Sequence, residues 1–534
     1  MVCDAVRTCP HDRAIVRSGP GGSLCARRPR LNGPVPSLTP ALALALAADL
    51  AEARYTDERL AAVWGRSAHA ALRAGDAAAA RRAAGRTEDP AALVARILWW
   101  GEDVPAEAAV RAFPRTGVDG LVAAGVVERR DAAVRALVAI RPQAFRDDLG
   151  DGSWWIASDL DEAAGIAPLP PAHVLGVGGA SRTLAALLPP GDVELALDLG
   201  CGCGILSLHL ARRARRVVAT DVSARALELT AFNARLNGVT GIETRLGSLY
   251  GPVRGERFGL IAANPPFVVT PRAEGVPVHE YRDGGLVGDG LMEAVVTGLG
   301  AHLEPGGLAA VLGNWESRPG RPGLDAVRGW LAGLDAWIVE REELDPVEYA
   351  RLWVRDGGVR AGTPGYDRLV TAWLDDLEGR GVASLGLGWV LARRPRGGVV
   401  AERAERVGHP VGEGGLGAHV AAFFAAHDAP ALHDDTVLLA SRLVVAPDVT
   451  EARHLVPGAD DPSVIELRQG GGLGRTVAAD PALAALVGAS DGELTVAALV
   501  AAIAELLEVD AADLRADLLP RVRELIATGF LRVA

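Results

Sequence analysis

The chain predicts an α/β fold: a mostly parallel sheet with helices on both faces, flanked in sequence by two smaller modules. Three observations carry this. Between residues 151 and 396 short apolar runs alternate with stretches of helical periodicity, the pattern of strand–helix–strand crossovers. The first apolar run ends in a glycine-rich turn, Leu197-Asp-Leu-Gly-Cys-Gly-Cys-Gly204, that opens a helix. The segments 38–150 and 397–534 read instead as helices with a few short strands.

A length of 534 residues sets a prior of three or four domains. Residues 1–37 carry Arg, Pro and Gly without periodicity and read as a disordered tail or an early start codon. Over 38–150 the expected helices are Asp57 to Arg73, Pro90 to Trp100, Pro105 to Phe113 and Val118 to Ala124. Two strands follow, Gly125 to Glu128 and Val134 to Ile140, around the polar turn Arg129-Arg130-Asp131. Helices closed by a hairpin predict a winged-helix-like module, read here as a protein-interaction unit before a nucleic-acid one.

In the central segment, strands are expected at Glu194–Leu199, Arg216–Thr220, Ile242–Leu246, Phe258–Ala263, Leu308–Leu312, near Trp337–Arg341 and near Gly388–Ala392. Helices fall between them, notably Ile205 to Arg213 and Ala224 to Asn237. The stretch Val174 to Thr183 is glycine-rich; it either closes over a ligand or turns into a helix capped near Ser181. Trp154 and Trp155 read as packing residues. Arg393-Arg-Pro-Arg-Gly-Gly398 marks the next boundary. Beyond it come the glycine-rich Gly408 to Gly417, the apolar run Thr436 to Val445, helices at Thr495–Leu507 and Asp513–Thr528, and a terminal strand closing on Val533. That order again predicts a winged-helix-like end.

Composition narrows the function. The formal net charge is −12, and every one of the 55 basic residues is Arg. An acidic balance argues against a general nucleic-acid coat, since phosphate binding needs a basic face. No run approaches the roughly 20 apolar residues that span a bilayer, and the first residues lack the apolar core of a secretory signal. The expected location is the cytoplasm. Cys3, Cys9 and Cys25 with His11 lack paired C-x2-C spacing, so no metal site is expected. Cys201 and Cys203 stand between glycines as small residues, and a disulfide framework is not expected in so Cys-poor a chain.

The stretch with most chemistry is Asn264-Pro265-Pro266-Phe267, at the carboxyl end of the apolar run Phe258 to Ala263. Two prolines fix φ and remove two N–H donors. The Asn264 side chain and nearby carbonyl oxygens are thereby presented rigidly, as acceptors for a planar –NH2 group. The Phe267 ring offers that group a face. Methyl transfer to an amide or exocyclic amine nitrogen needs this arrangement. Around it, His279, Glu280, Tyr281 and Asp283 are the chemically capable members of a loop over Val269 to Gly290.

The glycine turn supplies the complementary half. Gly200, Gly202 and Gly204 let the backbone turn sharply and approach a ligand, and Asp198 before them can receive an amino group, directly or through water. A glycine loop alone is weak evidence. Asp221 ends the second strand, where an acid can accept both hydroxyls of a ribose; alone, it reads equally well as a helix N-cap. Ser248, after the third strand, stands where an adenine contact is expected.

Together these residues resemble a class I AdoMet-dependent methyltransferase with a Rossmann-like core. The tetrad and its continuation Val268-Val-Thr-Pro271 resemble the HemK/PrmC group more narrowly, as do Tyr281-Arg-Asp-Gly-Gly285 and Gly288-Asp-Gly-Leu291. The resemblance covers about 170–320. It implies S-adenosyl-L-methionine as methyl donor, bound by Asp198, Gly200, Gly202, Gly204, Asp221, Ser248 and Asn264, and catalysis by Asn264, Pro265, Pro266 and Phe267 without a metal. It implies as acceptor a glutamine of a peptide-release factor. Phe267 replaces the tyrosine common in that group and also occurs in ribosomal-RNA guanine methyltransferases. Ser248 replaces a frequent acid, and the flanks match nothing in the group. An RNA base, or a small molecule or peptide, therefore stands as the alternative acceptor; a non-catalytic AdoMet-binding regulator is less favoured, because the motifs are intact.

Overall fold

The computed structural model describes residues 36–166, 169–277, 282–397, 400–409, 411, 415–458 and 460–534. Cys3, Cys9, His11, Cys25, nearly all of the expected tail, and the loop residues His279, Glu280 and Tyr281 lie outside the described residues.

The centre is an eight-stranded sheet. Its strands are β1 (Val193–Leu199), β2 (Ala214–Asp221), β3 (Ile242–Leu246), β4 (Phe258–Ala263), β5 (Leu303–Ser317), β6 (Asp335–Leu344), β7 (Ser384–Arg393) and β8 (Glu402–Arg406). Their spatial order is β8-β6-β7-β5-β4-β1-β2-β3, and only the pairings of β7 with β5 and β6 are antiparallel. The chain starts at β1 and leaves it in both directions, so a crevice opens at the carboxyl ends of β1 and β4 where the order reverses. Alternate residues serve opposite faces. Ala196, Leu260 and Ala310 join the core beneath α2 (Ile205–Leu210) and α3 (Ala224–Leu236). Leu197, Ile261 and Val311 join the core beneath α4 (Gly290–His302) and α5 (Gly323–Trp330).

The expected seven strands are present and the eighth lies past the expected boundary at Arg393–Gly398. Its sequence, Glu-Arg-Ala-Glu-Arg, has no apolar run, so periodicity could not find it. It is an edge strand held by charge, a common way to protect a sheet edge. Arg406 donates to Glu340 at 2.6 Å, and Glu405 accepts from the Trp337 indole at 2.6 Å. The strand expected over Leu308–Leu312 extends to Ser317 through buried Asn314 and Glu316, polar residues that hide it from hydropathy. The helix expected over Ile205–Arg213 ends at Leu210, and Arg213 folds back to donate to the Pro189 and His209 carbonyls.

A helical pair, α6 (Pro346–Asp356) and α7 (Pro364–Gly379), is inserted between β6 and β7. Asp345 and Thr363 cap the two helices, each followed by Pro at the first helical position. Their buried faces, among them Tyr349, Trp373 and Leu377, enclose Val268 and Val269 just after the tetrad.

In the amino-terminal segment the single helix expected over Asp57–Arg73 is two, Asp57–Trp64 and Arg66–Arg73, broken at Gly65 with φ +85°. The strand expected over Val134–Ile140 also divides. Ala133–Ala136 pairs with Val127–Arg130, while Ala139–Asp147 forms a hairpin with Gly150–Ser158. That hairpin is latched to α3: Asn233 exchanges hydrogen bonds with the Ala157 backbone at 2.7 and 2.9 Å, and Asn237 with that of Trp155. In the carboxyl-terminal segment the run Thr436–Val445 splits into a helix, Asp435–Ala440, and a strand, Arg442–Val445. The latter pairs with Asp491–Thr495 and Leu531–Val533 beside helices Val496–Leu506 and Ala511–Ala527. Among the described residues no helix is long and apolar enough to cross a membrane.

Candidate active site

A cavity of about 350 Å³ opens at the reversal point. The turns after β1, β2, β3 and β4 all reach it, through Gly200 and Gly202, Asp221, Ser248, and Asn264 with Pro265 and Pro266. Four separate motifs in the sequence thus meet in one space. Three of the expected site residues do not line it. Phe267 is half-buried at the junction of three apolar clusters. Gly204 turns its Cα towards Thr230, where a Cβ would fall 2.7 Å from the hydroxyl oxygen. Asp198 is wholly buried behind the loop.

The glycine turn is held in a conformation open to few residues. Gly200, Gly202 and Gly204 all have positive φ, at +79°, +53° and +80°. A Cβ on Gly200 or Gly202 would meet no protein atom within 4 Å, so the loop presents bare backbone to the cavity. From α3, Thr230 donates to the Gly202 carbonyl at 3.1 Å and Asn233 to the Cys203 carbonyl at 2.8 Å. Cys201 and Cys203 are buried free thiols, both pushed up by burial.

Two carboxylates stand close by. Asp198 accepts from the Ser207 hydroxyl at 2.5 Å through Oδ2, while its buried Oδ1 has no hydrogen-bond partner. Burial pushes its carboxyl up to about 7, with the nearby Asp221 charge adding to the shift. Asp221 accepts from the Gly202 and Ser223 backbone N–H groups, both at 2.9 Å. Burial raises its carboxyl too. The N-cap of α3 is Ser223, so capping does not account for Asp221.

At the other end, Asn264 is half-buried and donates from Nδ2 to the Ser181 hydroxyl at 3.3 Å. The sequence places Ser181 near a helix cap; it lies inside helix α1 (Gly179–Leu187), whose N-cap is Gly178. Segment 172–178 closes the cavity from this side. His173 is buried there, its imidazole lowered by burial, and Val174 N donates to Asp159 at 2.9 Å.

Asp283 and Leu291 complete the cavity wall on the Asn264 side. Phe267 and Asp283 form an antiparallel bridge, and Val268 N donates to the Arg282 carbonyl at 2.8 Å. Arg272 grips the buried Asp283 carboxylate with both terminal nitrogens, at 2.8 and 2.5 Å. Tyr349 of α6 accepts from Val269 N at 3.0 Å. Sequence reading missed His173, Tyr349 and the α6–α7 pair. Glycine-rich surroundings were the one local signal for His173; α6–α7 carried ordinary helix caps with nothing to tie them to the site.

These residues suit a nucleotide-like donor carrying an amino acid. An acid at the end of β2 can accept ribose hydroxyls, and the bare glycine backbone with the orphaned buried carboxylate oxygen at β1 can take an ammonium-bearing amino-acid end. A family model described as "Methyltransferase small domain" matches residues 176–280, and two models described as domains of unknown function match 52–137 and 421–533. A release factor glutamine methyltransferase of Xylella fastidiosa (strain Temecula1 / ATCC 700964) is 31% identical over 242 residues, covering 42% of this chain and 86% of the relative.

The chain belongs to the class I AdoMet-dependent methyltransferases.

This methyltransferase uses S-adenosylmethionine as its methyl donor. A ribosomal RNA small subunit methyltransferase C of Salmonella newport (strain SL254) is also 31% identical, over 165 residues, covering 30% of this chain and 43% of that relative. Among solved structures, the YcgJ protein of a Bacillus is similar at 12% identity and a TM-score of 0.28, covering 41% of this chain and 99% of that one. Among the described residues no group of three or more His, Cys, Asp or Glu side chains could hold a metal ion.

Proposed function

We propose that this methyltransferase methylates the nitrogen of a planar –NH2 group, and that the acceptor is a protein glutamine side chain of the release-factor type. The observation that carries this is the Asn264 amide. Its Nδ2 is engaged by Ser181, and among the described residues nothing donates to its Oδ1, an acceptor on the cavity wall.

When bound, AdoMet supplies an electrophilic methyl group. Asp221 accepts the ribose hydroxyls, Ser248 faces the adenine, and Asp198 with the glycine turn receives the amino-acid end. The acceptor –NH2 donates one hydrogen to Asn264 Oδ1 and the other to the Pro265 carbonyl. With both hydrogens held, the nitrogen lone pair points at the methyl carbon. Methyl transfer would use that pair for the new C–N bond while the C–S electrons stayed on sulfur, and the nitrogen would then lose a proton to water. Positioning and fixed dipoles do the work, so no strong base is needed. Phe267, half-buried against three apolar clusters, anchors the end of the tetrad.

Two observations favour protein over RNA. The three arginines of the amino-terminal hairpin are each paired with an acid: Arg129 with Asp119, Arg130 with Glu128 and Arg135 with Asp103. The net charge of −12 gives phosphate little to bind. The ribosomal-RNA relative keeps RNA as the second reading.

The test is transfer from labelled AdoMet into cell extract, followed by protease or nuclease. Label released by protease, on a glutamine, is expected; label released only by nuclease overturns the acceptor. Asn264→Ala should lower turnover at least 100-fold, the range for loss of one preorganised polar group, with AdoMet affinity within about twofold. Undiminished turnover would sink the mechanism.

A further inference from the structure

We propose that Asp159 is a positioning residue for the methyl donor, clamping the strap of residues 172–178 over the cavity and tying it to the first turn of α3. The inference concerns the donor, so it holds whichever acceptor the enzyme takes.

All residues of the strap except Val177 line the cavity. From His173 to Gly178 the strap is neither helix nor strand, and it contains two glycines. A segment without a ladder of its own loses much conformational entropy on ordering, so it stays closed only where something outside it holds it.

Asp159 holds it at Val174. Val174 N donates to Asp159 Oδ2 at 2.9 Å, and the Val174 carbonyl accepts from Asp159 N at 3.1 Å. One residue thus satisfies both backbone groups of the buried Val174. Two residues on, Gly176 lies against Ser158, where a Cβ would come 3.1 Å from the hydroxyl oxygen. The second carboxylate oxygen of Asp159 faces the other way. It accepts from Arg225 Nε at 2.7 Å and also from Nη2. Arg225 stands in the first turn of α3, between Ser223 and Ala226, which line the cavity just after Asp221. Both side chains are deeply buried, with 8% of Asp159 and 11% of Arg225 exposed. A carboxylate suits this place because its two oxygens accept from both walls at once.

The hairpin that carries Asp159 is docked without this contact. Arg225, Asn233 and Asn237 follow one face of α3, and the two asparagines already hold the Ala157 and Trp155 backbone. What Asp159 adds is the strap. Through it the amino-terminal segment builds one wall of the donor cavity.

Two double variants separate the clamp from the charge. Asp159→Asn with Arg225→Met removes the buried ion pair and keeps an oxygen for Val174 N. Asp159→Leu with Arg225→Met removes both the pair and that oxygen, an apolar replacement that buried pairs tolerate. AdoMet Kd is measured by calorimetry, and hydrogen exchange compares the amides of 172–178 with those of 150–158. The asparagine variant should bind AdoMet within about twofold of the unaltered protein. The leucine variant should bind about tenfold more weakly, the cost of a buried N–H left without a partner, with faster exchange in the strap and unaltered exchange in the hairpin. Equal Kd in the two variants overturns the proposal. So does a weakened Kd with equal loss of protection in the hairpin, which would leave Asp159 a structural residue only. A third readout needs no variant: AdoMet should slow exchange in 172–178 of the unaltered protein at least about fivefold, as a ligand that binds the closed strap must. Exchange there that ignores AdoMet overturns the proposal even if the leucine variant does not fold.

Discussion

The turn at Gly200–Gly204 and the segment Asn264–Thr270 border one cavity and are made rigid by opposite means. The first is rigid through backbone: three positive φ angles and carbonyls tied to Thr230 and Asn233 of a single neighbouring helix. The second adds to its proline pair a set of side-chain bonds, with Ser181 and Tyr349 brought from far along the chain and the Arg272–Asp283 pair from just beyond it. A donor common to many methyltransferases can be held by a short local motif. An acceptor particular to one of them would call for parts added around the sheet; α6–α7 is inserted between β6 and β7 and packs on Val268 and Val269.

The sharpest way to break the backbone end is Gly204→Ala. Its φ of +80° is strained for any side chain, and the new Cβ would press on Thr230 at 2.7 Å. Strain of this kind costs about 1–3 kcal/mol. AdoMet affinity should fall by tenfold or more, read by calorimetry, and the melting temperature by several degrees. Unaltered affinity would mean that the turn tolerates another shape and that backbone does not define this end.

This contrast also explains what the sequence could reveal. Asp198, the glycines, Asp221 and the tetrad are contiguous motifs at strand ends, and alternation located β3 and β4 to the residue. β8 escaped because its five residues are nearly all charged. The inner hairpin at Ala139–Ser158 escaped because its turn, Asp148-Leu-Gly, follows a run broken by Pro142 and Arg141. Ser181 read as a cap because serine favours caps, and its true neighbour is 83 positions away. Phe267 reads as a face for a planar group because its ring follows the proline pair; its half-burial between three apolar clusters depends on tertiary packing that the sequence does not display.

A smaller effect tests the carboxylate behind the turn. Burial holds Asp198 at about 7, against an ordinary 3.8. Between about pH 4 and 7 the unfolded chain has lost this proton and the folded one keeps it. The contribution of Asp198 to stability therefore falls as pH rises through that window. A bound ammonium reverses the preference by favouring the charged form. AdoMet should then bind roughly fivefold more tightly at pH 7 than at pH 6, a range where its own α-amino group stays protonated. Asp198→Asn should flatten the slope. A flat slope in the unaltered protein would assign the amino-acid end to backbone alone.

The smallest expected effect probes the side-chain end, at Tyr349. Its ring packs with Trp353 and Trp373, and its hydroxyl accepts from Val269 N at 3.0 Å and meets the amide of the buried Asn314. Tyr349→Phe keeps the ring and removes the oxygen, leaving a buried backbone N–H without a partner. Such a group costs about 1–3 kcal/mol, and the loss falls on the segment directly after the tetrad. The melting temperature should drop by a few degrees and kcat by about threefold, as Asn264 to Thr270 loosens. AdoMet Kd should not change, because no residue that Tyr349 bonds touches the glycine turn or Asp221. If AdoMet Kd weakens in step with kcat, the two ends are one mechanical unit, and the division between a backbone-built donor end and a side-chain-built acceptor end fails.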